Sequence, residues 1–153
     1  MKMKNNKKDV SELMEGFEQV CRIKGLRVTH QRQEIFAEFA RFNGHPTAEN
    51  IFNRVRKRLT TISLDTVYRT IATFEEYGLV KRVQILDNLA RFDINLKIHH
   101  HLVCSRCKKI EDFYWPDFDR LSLPGSVNEW GDIEQKHVEI RGLCRNCKKA
   151  SRN

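Results

Sequence analysis

Two pairs of cysteines with the same spacing are the clearest metal ligands in this chain: Cys104-x-x-Cys107 and Cys144-x-x-Cys147. Each pair can form a tight turn that directs two thiolates at one ion, and two such turns complete a tetrahedral site. Four thiolates leave no open coordination position, so the pattern predicts a structural Zn²⁺; a redox dithiol is the alternative. The fifth cysteine, Cys21, falls on the apolar stripe of a predicted helix, where a buried core thiol is expected.

Three consecutive histidines lie just before the first cysteine pair. Side chains on a strand alternate between faces, so His99 and His101 share one face and His100 faces the other way. One ion can therefore take His99 and His101 together, but not all three histidines. Asp112 returns on the next predicted strand and can join this pair as a third ligand.

Two further candidate ligands, His45 and Asp93, lie outside this strand. His45 belongs to the break between two predicted helices, and Asp93 lies at the junction of the helical and strand-rich halves. With His99, His101 and Asp112 they form a mixed nitrogen and oxygen set, which suits Fe(II), Mn(II) or Zn(II). An ion that binds ligands from both halves would stabilise one closed arrangement and shift the population towards it.

The N-terminal half has the apolar periodicity of helices. From Asp9 to Lys24 apolar residues recur every three or four positions, and a glycine follows that can end the helix. Thr29, Thr47 and Ser63 can cap three further helices, of which the middle one is expected to run to Leu59. Short helices joined by tight breaks predict a helix-turn-helix core.

After the last of these helices the apolar period changes to two, which predicts a β-hairpin, or wing, packed on the helices. Residues 86–88 can form its turn, and Arg91 and Asp93 are expected to point away from its apolar face. That apolar face consists of Val83, Ile85, Ala90, Phe92 and Ile94.

A basic surface accompanies this winged helix, since the chain carries a net charge of +8 at pH 7, and the combination favours a DNA partner. The helix SLDTVYRTIATFEEYG can place its N-terminal turns in a major groove, where Arg69 could read guanine through a bidentate contact. Tyr68 could pack on a thymine methyl group or hydrogen-bond a phosphate. Candidate phosphate contacts are Arg27, Arg32, Arg54, Arg56, Lys57, Arg58, Lys81 and Arg82.

The C-terminal half reads as a small β domain, and the fold class is therefore α+β. Residues 98–103 and 110–114 are expected to be strands, and residues 133–143 alternate again. Residues 117–123 form a weak helix that Pro124-Gly125 stops. The predicted domains are a disordered basic tail (1–8), a winged-helix DNA-binding domain (9–88), a hinge (89–97) and a zinc-stabilised domain (98–153).

The chain has no apolar run near the ~20 residues that a transmembrane helix needs. Its basic start is not followed by the apolar core of a signal peptide. We therefore expect a cytoplasmic protein without a membrane partner, in which reduced thiols bind metal.

Several motifs, in this order, resemble the ferric uptake regulator family of bacterial metal-dependent repressors. The resemblance implies a homodimer that binds a palindromic DNA operator, with an N-terminal winged helix and a C-terminal α/β domain for dimerisation and metal sensing. The motifs are LRVTHQR, HPTAE, DTVYRT with YGLV after it, ARFD, HHHLVCSRC, KIEDF and the final C-x-x-C, from about Leu26 to Lys148.

The same resemblance implies roles for individual residues. Arg27, Tyr68 and Arg69 carry over as DNA contacts, and the four paired cysteines carry over as a structural zinc site. A regulatory Fe(II) or Mn(II), which permits operator binding, is implied on the mixed set of His45, Asp93, His99, His101 and Asp112.

Carboxylate length separates branches of this family. Aspartate at both Asp93 and Asp112 resembles the peroxide-responsive branch, whereas iron-uptake regulators tend to have glutamate there. In the peroxide-responsive branch, bound Fe(II) reacts with hydrogen peroxide and a ligand histidine is oxidised, which releases the DNA. The candidates for oxidation in this chain are His45 and His99.

A second regulatory site, found in some relatives, looks incomplete in this chain because Ile98 stands where those relatives have a ligand histidine. His100 and His137 are therefore expected on the surface or in a weak second site. Pro124-Gly125 also interrupts a segment where relatives run a longer helix.

The leading hypothesis is a metal- and peroxide-responsive transcriptional repressor, and not an enzyme. An iron- or zinc-uptake regulator is the alternative within the family. A non-haem metalloenzyme would need an open metal position and a substrate pocket, and no other catalytic motif accompanies the His/Asp set. A zinc-stabilised interaction module that does not bind DNA is a further alternative.

Overall fold

The computed structural model describes residues 9–83 and 89–151, which divide into a helical unit (9–96) and a sheet unit (97–151). The predicted tail lies outside the described residues. Within the described ranges, the helical unit combines four helices with a two-stranded sheet, and the sheet unit combines three strands with three short helices. The α+β prediction is therefore confirmed. No helix in these ranges is long and apolar enough to cross a membrane.

The first helix, α1, spans Val10–Lys24, as its periodicity predicts. Asp9 caps its N-terminus by accepting a hydrogen bond from the backbone N–H of Ser11 (3.3 Å). Gly25 ends the helix in the left-handed conformation (φ 70°), where a side chain would clash with the backbone. Cys21 is fully buried on the inner face of α1, which confirms its prediction as a core thiol.

The next three helices begin directly after their predicted caps. Thr29, Thr47 and Ser63 each accept a hydrogen bond from a backbone N–H in the first turn of the helix that follows. Each cap satisfies one of the N–H groups that a helix leaves without an internal partner. These helices are α2 (His30–Arg41), α3 (Ala48–Val55) and α4 (Leu64–Glu76).

Helix α3 is shorter than predicted, since it ends at Val55 and not at Leu59. After Val55 the chain tightens into shorter turns, in which the Lys57 N–H bonds to the carbonyl of Arg54 (3.3 Å). The apolar period continues to Leu59, which packs on the core without being part of the helix.

Aromatic packing joins three of these helices. The Phe17 ring of α1 stacks on Phe36 of α2, with centroids 4.6 Å apart. Phe74 of α4 meets both rings edge-on, at 5.7 and 5.8 Å. All three side chains are buried, so this cluster fixes α4 against the rest of the helical unit.

The wing consists of two short antiparallel strands, β1 (Lys81–Val83) and β2 (Arg91–Asp93). Val83 pairs with Arg91, and Arg82 pairs with Phe92. Residues directly opposite share a face, so the prediction that Val83 and Phe92 lie on one apolar face is wrong. The guanidinium of Arg82 lies over the Phe92 ring at 5.6 Å, and this cation–π contact takes the place of an apolar partner. Ile85 and the turn at 86–88 lie outside the described residues.

The sheet unit has three strands, β3 (His100–Cys104), β4 (Ile110–Phe113) and β5 (Glu139–Gly142), in the order β4-β3-β5. The central strand is antiparallel to one neighbour and parallel to the other, with His101 opposite Asp112 on β4 and Cys104 opposite Gly142 on β5.

The connections of the sheet unit depart from the predictions. Residues 133–143 form a strand only from Glu139, because only this stretch finds a partner in β3. Pro124-Gly125 does not simply stop a helix, since Gly125 begins another. The short helices are α5 (Pro116–Arg120), α6 (Gly125–Asn128) and α7 (Arg145–Ala150).

Candidate metal centres and DNA-facing helix

The four paired cysteines lie together in the sheet unit. Cys104 ends β3 and Cys144 precedes α7, and the parallel pairing of β3 with β5 brings their two turns side by side. All four sulfur atoms lie within 4.8 Å of one another, with 3.8 Å between the sulfurs of Cys107 and Cys144. A tetrahedral thiolate set of this kind fits Zn²⁺.

The groups around two of these sulfurs shift their thiol pKa values in opposite directions. Hydrogen bonds from the backbone N–H groups of Cys144, Cys107 and Arg106 lower the pKa of Cys104 to about 6. Hydrogen bonding to Cys144 and burial, together with the neighbouring sulfurs, raise the pKa of Cys147 to about 12. The backbone N–H groups therefore favour a thiolate at Cys104, whereas the neighbouring sulfurs and burial disfavour one at Cys147.

An arginine fastens the two cysteine turns to each other. Arg106, in the first turn, donates from Nη1 to the carbonyl of Cys147 (3.4 Å) and to Oγ of Ser151 (2.9 Å). These bonds connect the first cysteine turn to the segment that carries the second.

A pair of buried histidines faces Asp112 in the same unit, as strand alternation predicts. The Nε2 atoms of His99 and His101 lie 3.0 Å apart, and Oδ1 of Asp112 lies 3.8 and 3.9 Å from them. Nδ1–H of His99 donates to the carbonyl of Lys97 (2.7 Å), which fixes the ring and directs its Nε2 towards His101. Metal-binding histidines are commonly held in this way by a carbonyl behind the ring.

The other two candidate ligands meet in the helical unit. Nε2 of His45 lies 3.5 Å from Oδ2 of Asp93, and both side chains are buried. The Phe92 N–H donates to the carbonyl of Pro46 (3.0 Å), so the wing strand β2 is bonded directly to the segment that carries His45. Asp93 does point away from the face of Phe92, but this places it beside His45 and not in solvent.

His100 is fully buried, so the prediction of a surface position is wrong for this residue. Its Nε2 lies 3.2 Å from Oδ1 of Asp119, and its Nδ1 accepts a hydrogen bond from the N–H of Val138 (3.2 Å). His137 is exposed, and its ring lies 5.7 Å from that of His101. No local sequence pattern indicated a role for Asp119, because its helix α5 is short and lacks a clear apolar stripe.

The N-terminal turns of α4 expose both predicted DNA-reading residues. Tyr68 is 44% exposed, and its hydroxyl donates to the carboxylate of Glu49 on α3. Arg69 is 81% exposed, and its Nε lies 2.9 Å from Oδ2 of Asp65 one turn earlier on α4. Sequence reasoning missed both acidic partners.

Comparison with known proteins decides the family. A family model described as the ferric uptake regulator family matches residues 23–148. The chain belongs to the ferric uptake regulator family. Its members are metal-responsive transcriptional regulators and not enzymes, and they bind DNA as dimers, which agrees with the expected DNA-binding homodimer.

The similar proteins are a peroxide-responsive repressor by sequence and metal-uptake regulators by fold. The peroxide-responsive repressor PerR of Staphylococcus epidermidis is 35% identical over 125 residues, covering 81% of this chain and 83% of that protein. The Helicobacter pylori ferric uptake regulator Fur matches with a TM-score of 0.72 at 21% identity, covering 97% of both chains. A zinc uptake regulator solved with zinc and DNA matches with a TM-score of 0.70 at 19% identity, covering 95% and 99%.

Several arginines predicted as phosphate contacts of this family member are engaged by the protein itself. Arg32 donates to the carbonyl of Arg27 (2.6 Å), and Arg82 makes a two-pronged contact with Glu75 (3.0 Å for each bond). Arg54 and Arg58 contact the buried carboxylate of Glu38. Phosphate contacts by Arg54, Arg58 and Arg82 therefore compete with carboxylates that already hold these side chains.

Proposed function

We propose that this chain is a cytoplasmic repressor that binds a palindromic operator as a homodimer when metal is bound, and releases it when peroxide reacts with bound Fe(II). The observation that carries this proposal is the buried His99/His101 pair facing Asp112. Its Nε2 atoms converge, and the carboxylate opposite them is an aspartate. The 35% identity to a peroxide-responsive repressor also supports the proposed response to peroxide.

The structural zinc has a separate role in this proposal. Cys104, Cys107, Cys144 and Cys147 surround one point where four thiolates leave no position for a substrate or a regulator. The bound ion stabilises the pairing of β3 with β5, because the two cysteine turns extend directly from those strands.

A single regulatory ion, Fe(II) or Mn(II), is proposed to use both remaining ligand groups. His99, His101 and Asp112 converge in the sheet unit, and His45 and Asp93 converge in the helical unit. The sheet-unit group offers three protein ligands and the helical-unit group offers two, so an ion that binds both groups would have five protein ligands. Sharing one ion would favour the arrangement of the units that binds the operator.

Peroxide sensing is proposed to act through the histidine ligands. Bound Fe(II) supplies the electrons that reduce hydrogen peroxide. His45 and His99 offer imidazole rings that can be oxidised, and an oxidised ring is a poorer ligand. Loss of one ligand removes the stabilisation of the operator-binding arrangement, so the DNA is released.

Operator recognition is proposed to use α4 in the major groove. The planar guanidinium of Arg69 can donate two parallel hydrogen bonds to guanine. The ring of Tyr68 can pack on a thymine methyl group, or its hydroxyl can bind a phosphate. Arg27 and Arg32 lie before and within α2, where they are proposed to contact the DNA backbone.

DNA-shift assays with the full chain test this proposal. Random-sequence DNA is first selected with Mn(II)-loaded protein, and the selected duplex is then bound by Mn(II)- and Fe(II)-loaded protein with and without hydrogen peroxide. We expect peroxide to release the DNA only from the Fe(II)-loaded protein. Retention of DNA by Fe(II)-loaded protein after peroxide would reject peroxide sensing and favour an iron- or zinc-uptake regulator.

The shared-ion proposal has its own test. His45→Ala removes a ligand from the helical unit and leaves the sheet-unit ligands in place. We expect this variant to need much more Mn(II) for half-maximal operator binding, while Glu15→Ala, at an exposed position of α1 in the same unit, keeps the wild-type metal requirement. An unchanged Mn(II) requirement in His45→Ala would show that the helical unit does not contribute a ligand.

A further inference from the structure

Two acidic side chains hold the DNA-facing residues of α4. Glu49, near the start of α3, accepts the hydrogen bond of the Tyr68 hydroxyl. Asp65, in the first turn of α4, pairs with Arg69 (Nε to Oδ2, 2.9 Å). All four residues belong to the helical unit and are exposed, so these carboxylates lie on the surface that DNA would approach.

The contact with Glu49 changes what Tyr68 can do at a DNA backbone. A tyrosine hydroxyl has a single proton to donate, and the Glu49 carboxylate accepts it. The same hydrogen bond raises the pKa of Tyr68 and lowers the pKa of Glu49, so the pair keeps its protonated phenol and ionised carboxylate. A phosphate that accepted this hydrogen bond in place of Glu49 would also lie beside the Glu49 carboxylate, which is negatively charged like the phosphate.

The contact with Asp65 has a similar effect on Arg69. A phosphate that binds Arg69 exchanges one anionic oxygen for another, and it is repelled by Asp65 if that side chain stays nearby. A guanine edge offers two acceptors that match the guanidinium fork, and it carries no net charge to be repelled. The ion pair therefore penalises the phosphate contact more than the base contact.

We propose that Glu49 and Asp65 are specificity-determining residues of this protein. They disfavour phosphate contacts by Tyr68 and Arg69, which any DNA sequence offers, and leave the base contacts that only the operator offers. Repulsion of the wrong partner is a general way to gain specificity, even at some cost in affinity. The inference rests on the proposed binding of operator DNA by α4.

Charge-neutral variants of nearly the same shape test this role. In Mn(II)-loaded full-length protein, we expect Glu49→Gln and Asp65→Asn each to bind a scrambled duplex more tightly. The ratio of affinities for the selected duplex over the scrambled duplex should fall by about two- to fivefold, the range of exposed ion pairs. Fluorescence anisotropy with both duplexes at one salt concentration measures this ratio, and thermal unfolding confirms that each variant folds.

The matched control is Glu76→Gln, at the exposed C-terminal end of the same helix. It removes the same charge but contacts neither Tyr68 nor Arg69 in any hydrogen bond or ion pair seen among the described residues. If Glu76→Gln lowers the affinity ratio as much as Glu49→Gln and Asp65→Asn do, the effect is one of net charge and the inference is overturned.

A second comparison isolates the hydroxyl of Tyr68. In a Tyr68→Phe background, Glu49→Gln should no longer change the affinity ratio, because the hydroxyl that donates to Glu49 is gone. A persistent effect would overturn the assignment of Glu49 as a residue that acts through Tyr68. Failure of the wild-type protein to select any duplex is a different result, which rejects the proposed operator binding and this inference with it.

Discussion

Glu38 is a carboxylate buried in the helical unit at 2% exposure, with arginines on both of its oxygens. Nε of Arg54 lies 2.7 Å from Oε2, Nη1 of Arg41 lies 3.1 Å from Oε1, and Arg58 also contacts Oε1. Burial acts to raise the pKa of Glu38, but these hydrogen bonds and charges outweigh it and hold the pKa below its ordinary value. Because Glu38 lies on α2 and Arg54 on α3, the network fixes the two helices to each other.

Replacement of this carboxylate should destabilise the protein in a pH-dependent way. We expect Glu38→Gln to lower the free energy of unfolding by about 2 kcal/mol near neutral pH, because hydrogen bonds to a charged group are lost. The folded-state pKa of Glu38 lies below 4.5, the ordinary pKa of a glutamate side chain. Its contribution is therefore complete above about pH 4.5 and is lost as the pH falls through the folded-state pKa.

Urea unfolding at a series of pH values measures this difference. The difference in the free energy of unfolding between wild type and Glu38→Gln should become smaller as the solution becomes acidic. Changes common to both proteins, such as loss of metal, do not affect this difference. A gap that stays constant down to acidic pH would show that Glu38 does not stabilise the fold through its charge.

At the scale of single elements, the two glycines of α1 offer a matched pair. Gly25 has a positive φ (70°) at the helix end, whereas Gly16 lies inside the helix with open space around its Cα. We expect Gly25→Ala to lower the free energy of unfolding by about 1 kcal/mol, because alanine is strained in the left-handed conformation. Gly16→Ala should raise it by about 0.5–1 kcal/mol, since alanine favours a helix interior.

Thermal and urea unfolding of the two variants, followed by far-UV circular dichroism, compare these effects directly. The two substitutions add the same methyl group to the same helix, so a difference in sign isolates the backbone conformation. Equal effects from both substitutions would contradict the left-handed cap at Gly25.

The helices could be predicted from the sequence because their signals are local. Thr29, Thr47 and Ser63 each lie next to the helix that they cap, and Cys21 falls on an apolar stripe readable within one helix. The alternation of His99 and His101 on one face and His100 on the other is equally local. These features needed no knowledge of how distant segments pair.

Features set by distant pairing could not be predicted in the same way. The register of β1 with β2 places Arg82, not Val83, opposite Phe92. No residue near either strand in the sequence indicates this register. From the sequence alone His100 is expected on the surface, because its contacts with Asp119 and Val138 form only in the folded sheet unit. Glu49 and Tyr68 lie on different helices, so their contact depends on how α3 packs on α4.

At the scale of the whole molecule, the proposed zinc site should decide whether the sheet unit folds. Structural zinc sites contribute on the order of 10 kcal/mol of apparent binding free energy, far more than one short strand pair provides. We expect Cys144→Ser to lose its bound zinc and the structure of the sheet unit.

Elemental mass spectrometry after dialysis measures zinc per chain, and circular dichroism follows the folding of the variant. Cys21→Ala is the matched control: it removes a buried thiol of the helical unit, costs about 1–2 kcal/mol through the cavity it leaves, and should retain zinc. Full zinc content in Cys144→Ser would contradict the four-cysteine site.

The central functional claim is that Fe(II) makes this protein sensitive to peroxide through its own histidine ligands. Peptide mass spectrometry after a brief exposure of metal-loaded protein to hydrogen peroxide tests it most directly. We predict one added oxygen atom on His45 or His99 in the Fe(II)-loaded protein and none in the Mn(II)-loaded protein, in parallel with loss of DNA binding. Unmodified His45 and His99 in Fe(II)-loaded protein that has released its DNA would contradict the claim.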